Sequence, residues 1–172
     1  MVKILQPIQT TWLDYPDDES LAIIVCMMGC DNGCPFCQNP EFQNPEYNNQ
    51  TKEYNVNELI NELKLLCKKN HTNKVVLSGG DPLSCFNKDF TKELLSNSDF
   101  EFCIYTGHNI EYVKSLNLFK VKFIKCGYFD INKKRESFKN DLCIQFASPN
   151  QILYNGNYEP LSVDGVFYFK KS

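Results

Sequence analysis

Four strand-length runs, each ending at a cysteine or immediately before a glycine, constrain this chain more than any other feature. They cover residues 21–26, 74–78, 100–106 and 120–126. The first is apolar throughout, the pattern of a strand buried on both faces of a parallel sheet. Between the first two, Val56, Leu59, Ile60, Leu63, Leu66 and Cys67 recur at intervals of three and four, with Glu58, Glu62, Lys64 and Lys68 elsewhere. That spacing predicts an amphipathic helix over 56–70, capped by Asn55. A shorter helix is expected over 88–95, and another runs from its cap Asn109 through 116. Strands alternating with helices argue an α/β fold with a mainly parallel sheet and right-handed crossovers. A closed eightfold barrel takes about 250 residues, so a chain of 172 predicts an open, partial (βα) barrel. A fifth strand is expected over 142–146 and a small one over 166–169. Residues 38–55, rich in Asn, Gln, Pro and Tyr, read as a long polar connection. No repeat, low-complexity tract or linker interrupts the pattern, so one domain is expected over 1–172.

In open α/β sheets ligands gather at the carboxyl ends of the strands. Here those ends carry a cysteine loop, Gly79-Gly80, Thr106-Gly107 and Cys126-Gly127. The loop places Cys30, Cys34 and Cys37 within eight positions, with Gly33 and Pro35 between them. Thiols so crowded suit one soft metal centre. Three ligands rather than four leave one coordination position for something else, and an open site means chemistry where a closed one means structure. A closed alternative takes Cys26 as a fourth ligand, giving either a structural zinc site or an electron-transfer cluster. No second C-x2-C pair exists, and His71 and His108 stand alone. The turn Gly79-Gly80-Asp81-Pro82 is neither a P-loop nor a dinucleotide fingerprint. Its two glycines allow a close backbone approach to a ligand, and Asp81 offers a carboxylate to an ammonium.

Composition narrows the partners. The net charge is −3, without the basic footprint of a nucleic-acid binder. Lys133-Lys134-Arg135 reads as a solvated loop. No apolar run reaches the ~20 residues that cross a bilayer, and the first residues lack the apolar core of a secretory signal, so a cytoplasmic protein is expected. Nine cysteines in such a chain mean metal plus buried thiols rather than disulfides. Cys67, Cys103 and Cys143 are expected in the core.

The C-x3-C-x-aromatic-C loop together with Gly-Gly-acid-Pro resembles the radical S-adenosylmethionine (SAM) superfamily. The resemblance implies that Cys30, Cys34 and Cys37 hold a [4Fe-4S] cluster whose open iron is chelated by SAM. It places Phe36 and the Gln38 backbone against the adenine and Gly79, Gly80 and Asp81 at the methionine ammonium. It also assigns Lys125, Cys126 and Gly127 to the wall of the SAM pocket. The superfamily more often has Glu where Asp81 stands. Within it, Cys34-Pro35-Phe36-Cys37-Gln38-Asn39-Pro40-Glu41 is similar to the activating enzymes of the anaerobic ribonucleotide reductase. Leu13-Asp14-Tyr15-Pro16, Ser78 to Leu83, Tyr105-Thr106-Gly107, Ile124 to Tyr128 and Ser148 to Gln151 resemble further blocks of that group. What this implies is reductive cleavage of SAM to a 5′-deoxyadenosyl radical, which makes a glycyl radical on the reductase catalytic subunit. An external electron donor such as a flavodoxin is implied too. A small-molecule radical SAM enzyme, such as a 7-carboxy-7-deazaguanine synthase, is the nearest alternative within the superfamily.

Overall fold

The computed structural model describes residues 1–17, 21–136 and 143–169. Its strands are β1 (Val2–Leu5), β2 (Gln9–Thr11), β3 (Ala22–Met27), β4 (Thr51–Tyr54), β5 (Lys74–Gly79), β6 (Glu101–Tyr105), β7 (Val121–Cys126), β8 (Cys143–Gln145), β9 (Ile152–Asn155) and β10 (Val166–Tyr168). The helices are α1 (Val56–Lys69), α2 (Lys88–Ser96) and α3 (Ile110–Ser115). In the main sheet the order is β4-β1-β3-β5-β6-β7-β9, with β2 also paired to β3. The four central strands, β3, β5, β6 and β7, are parallel. Antiparallel strands flank them on both sides. The sheet is therefore mixed, with a parallel centre, and it is not closed: β4 and β9 are its edges.

Differences from the sequence reading fall outside that centre. β4 lies inside the stretch read as a polar connection. It pairs with β1 at the sheet edge, where a strand tolerates outward polar residues and pairing overrides weak propensity. β1, β2 and β9 are additions for the same reason: short strands recruited by a neighbouring edge carry little pattern of their own. The expected fifth strand does not extend the main sheet. Its residues Cys143–Gln145 pair antiparallel with β10 in a separate two-stranded sheet, and Leu142 lies outside the described residues.

Alternation along the strands divides the core. Ile23, Val25, Met27, Val75, Leu77, Phe102, Ile104 and Ile124 meet Leu59, Leu63, Phe90 and Leu94 of the helices. Each fully buried side chain of this kind contributes roughly 1.5–3 kcal/mol relative to exposure. Asn55 begins α1 with a capping box, its side chain accepting from the Glu58 N–H while Glu58 accepts from the Asn55 N–H. The opposite face carries a smaller cluster, Tyr15, Ala22, Val76 and Cys103, packed with Ile24, Tyr105 and Phe123. That less covered face is where the site forms. No helix among the described residues is long and apolar enough to cross a membrane.

Candidate active site

The parallel strands β3, β5, β6 and β7 all end on one side, so the four loops expected to carry chemistry meet there. The loop after β3 is braced by backbone. Gly29 and Cys30 donate to the carbonyls of Phe42 and Gln43 at 2.8 and 3.1 Å, and Cys37 donates to Cys34 at 3.2 Å. Its side chains reach the neighbouring loops as well. Asp31 accepts from the Cys85 N–H at 2.8 Å and lies 3.2 Å from His108 Nε2. Asn32 Nδ2 donates to Cys30 Sγ at 3.4 Å and to Asp81 Oδ2 at 2.6 Å.

Cys30, Cys34 and Cys37 are all partly exposed and free of disulfides. Burial pushes the Cys30 thiol up, opposed by hydrogen bonds from Asn32. Among the described residues no three His, Cys, Asp or Glu side chains close to the spacing of one metal ion. A cluster of several irons binds each thiolate at a different iron and does not require that spacing, whereas one tetrahedral zinc does. The donor set, three soft thiols on one braced loop, fits a cluster with one iron left for another ligand. Cys26 lies on β3 opposite Ser78, and burial, then the charge of Asp14, pushes its thiol up to about 11.

Beside the loop opens a cavity of about 930 Å3. Its lining includes Cys34, Phe36, Cys37 and Gln38 from the loop, Tyr105 and Lys125 from the sheet, and Leu13 and Phe146 from flanking segments. The structure thus brings together two of the three cysteines, Phe36, Gln38 and Lys125. Cys126 points the other way, into the helix-covered core. Gly127 lies just outside, its carbonyl accepting from Gln151 Nε2 and Lys125 Nζ, both at 3.3 Å. Gly79 and Gly80 sit behind the loop. A Cβ on Gly80 would stand 2.5 Å from the carbonyl oxygens of both Gly29 and Phe42. Gly80 therefore admits the cysteine loop itself, whereas a Cβ on Gly79 would collide with the backbone nitrogen of Met27 in β3. Asp81 is fully buried.

Several site residues carried no sequence signal of their own. Asn32 is a polar residue inside a metal loop, and nothing in its spacing singles it out. Cys143, expected in the core, lines the cavity instead, because β8 folds across the opening rather than into the sheet. The late blocks interlock: Asn150 Nδ2 donates to the Tyr128 carbonyl at 2.8 Å, and Gln151 binds the Gly127 carbonyl. His108 stacks on Tyr112 with ring centroids 4.2 Å apart.

Lys125 lines the cavity from β7. Burial pulls its ammonium down to about 8, with a partial return from the negative Asp81. The unfolded chain keeps that proton up to about 10.5. Between those values the unfolded state binds more protons, so stability rises with pH there, and below 8 the full cost of the buried charge is present. Lys125→Met should stabilise the ligand-free protein at pH 7 by on the order of 2 kcal/mol. The gain should shrink as pH rises toward 10.5. Thermal melts of both proteins across that range check this; equal melting points at pH 7 would refute it.

A family model described as the radical SAM superfamily matches residues 24–125, more than half of the chain. No curated protein matches it. The matched segment runs from β3 through β7 and includes all three cysteines, the Gly-Gly-Asp turn and Lys125. The superfamily uses a [4Fe-4S] cluster and SAM and cleaves SAM reductively to a radical. A three-thiol loop beside a large cavity at the strand ends is the geometry such chemistry needs, and the chain belongs to the radical SAM superfamily.

Proposed function

We propose that this chain is a glycyl-radical activating enzyme acting on an anaerobic ribonucleotide reductase. Cys30, Cys34 and Cys37 hold the cluster. Phe36 and the Gln38 backbone take the adenine, and the backbone of Gly79 and Gly80 takes the methionine end. With both cofactors bound and one electron supplied by an external donor such as a flavodoxin, the site would supply reductive cleavage of SAM to methionine and a 5′-deoxyadenosyl radical, and transfer of a hydrogen atom from a glycine Cα of the reductase would leave 5′-deoxyadenosine and the glycyl radical. The protein supplies binding, orientation and exclusion of water.

The observation that carries this reading is the mouth of the cavity. Leu13 and Phe36 line it and are 80% and 61% exposed. Ile131 also lines it and is exposed. An apolar rim of this kind suits a polypeptide loop entering over an open sheet, where a buried small substrate would favour a covered mouth. Of the sequence blocks similar to the reductase activases, those at 34–41, 78–83, 105–107 and 124–128 follow or close parallel strands at this end, and Leu13 of the block at 13–16 lines the cavity. Lys125 favours the second reading, a small-molecule enzyme such as a 7-carboxy-7-deazaguanine synthase, since a buried ammonium would pair with a substrate carboxylate. Anaerobic reconstitution with dithionite, SAM and a candidate reductase separates the two. The activase reading expects a glycyl radical signal by electron paramagnetic resonance that requires the reductase. Formation of 5′-deoxyadenosine without that signal would count against it.

A further inference from the structure

Asp81 does not face the cavity. Its side chain is fully buried, and both carboxylate oxygens are occupied by the chain's own donors. Oδ2 accepts from Asn32 Nδ2 at 2.6 Å, Thr106 Oγ1 at 2.9 Å and the Gly107 N–H at 2.8 Å. Oδ1 accepts from the Leu83 N–H at 2.8 Å. Three of these donors converge on Oδ2 and one reaches Oδ1, so the chain itself engages both oxygens. Those donors come from the cysteine loop, the turn after β5 and the loop after β6, so one carboxylate pins three strand ends together. The packing agrees: a Cβ on Gly107 would stand 2.6 Å from Asn32 Nδ2, so Gly107 leaves the room that Asn32 occupies.

Asn32 has two amide hydrogens. One is directed to Asp81, and the other reaches Cys30 Sγ at 3.4 Å. The carboxylate therefore fixes the direction of an N–H aimed at a cluster sulfur. We propose that Asp81 is a positioning residue that orients Asn32 onto Cys30, and that it is not a ligand of the SAM ammonium. Hydrogen bonds to cluster sulfurs set the reduction potential. A donor on the sulfur favours the reduced state, which carries one more negative charge. The inference rests on Cys30 holding the cluster and is independent of the activase reading.

The test uses reconstituted holoenzyme without SAM, with the cluster potential read by redox titration and the reduced cluster by electron paramagnetic resonance. Asn32→Ala should shift the potential to more negative values and alter the signal, with Asp81 still present. Asp81→Glu keeps the charge, so a shift there reports geometry. In an enclosed site the extra methylene displaces the four donors, and the same negative shift is expected. A wild-type potential in Asn32→Ala overturns the proposal. So does an Asp81→Glu protein with the wild-type SAM-free potential and undiminished SAM affinity, because a direct ammonium contact would tolerate the longer acid. Should Asp81→Glu fail to load iron, Asn32→Ala decides alone. Neither readout requires a reductase, so failure here and failure of the activase reading are distinguishable.

Discussion

Cys34→Ser should bring bound iron and sulfide to background and abolish SAM cleavage, while Cys26→Ser should keep both near wild-type levels. The ligating form of cysteine is the thiolate, and the loop that carries Cys30, Cys34 and Cys37 is held in place by backbone hydrogen bonds from Gly29, Cys30 and Cys37. Removing one of three thiolates leaves an iron without a protein ligand, and the cluster has no other cysteine to recruit on that loop. Cys26 differs in kind. It lies within β3, a strand held on both sides by β2 and β5, and burial keeps its thiol protonated up to about 11. A strand residue so placed cannot swing toward the loop without breaking the register with Ser78. Iron and sulfide assays with visible spectra after anaerobic reconstitution read the outcome. Equal loss of metal in Cys26→Ser and Cys34→Ser would turn the site into a closed four-thiolate centre and remove the basis for SAM binding.

What the sequence made legible follows from where its signals are strong. The centre of the sheet, β3, β5, β6 and β7, was readable because buried parallel strands are dense in apolar residues and each ends at, or within two residues of, a glycine or cysteine. Helix α1 was readable to within a residue, since six apolar positions, Asn55 and Glu58 agree on its start and its face. The flanking strands were not. β4 carries exposed charged residues at two of its four positions and exists because β1 offers it an edge. β9 is recruited by β7 in the same way. In the site, residue types announced the three cysteines and the Gly-Gly turn, but contacts decided what they do. Gly80, read as making room for a ligand, also seats the cysteine loop, and Asp81, read as a ligand group, accepts from Thr106 and Asn32, 25 and 49 positions away. Long-range partners of this kind leave no periodicity to detect.

Gly80→Ala should be far more damaging than Gly33→Ala, although both glycines sit in the machinery around the cluster. At Gly80 the new methyl carbon would meet the carbonyl oxygens of Gly29 and Phe42 at 2.5 Å. Both are backbone atoms, and both are committed: the Gly29 carbonyl accepts from the Asp81 N–H at 2.9 Å, and the Phe42 carbonyl accepts from the Gly29 N–H at 2.8 Å. Relief requires the cysteine loop to lift off the turn after β5, which breaks those bonds and moves Cys30. Overpacking of this severity costs about 3 kcal/mol, a fall of roughly 6–12 °C in melting temperature for a chain of this size. Cluster loading should fall with it. Gly33 has φ of +60°, and an added methyl there would have nothing within 4 Å of it. There the alanine meets only the left-handed backbone penalty of about 1 kcal/mol, roughly 2–4 °C, and the loop keeps its seat. Thermal unfolding of the ligand-free variants, followed by iron content after reconstitution, distinguishes the two. Comparable losses at both positions would mean that the loop is not seated on the Gly-Gly turn, and with that the coupling between cysteine loop and strand ends would fall.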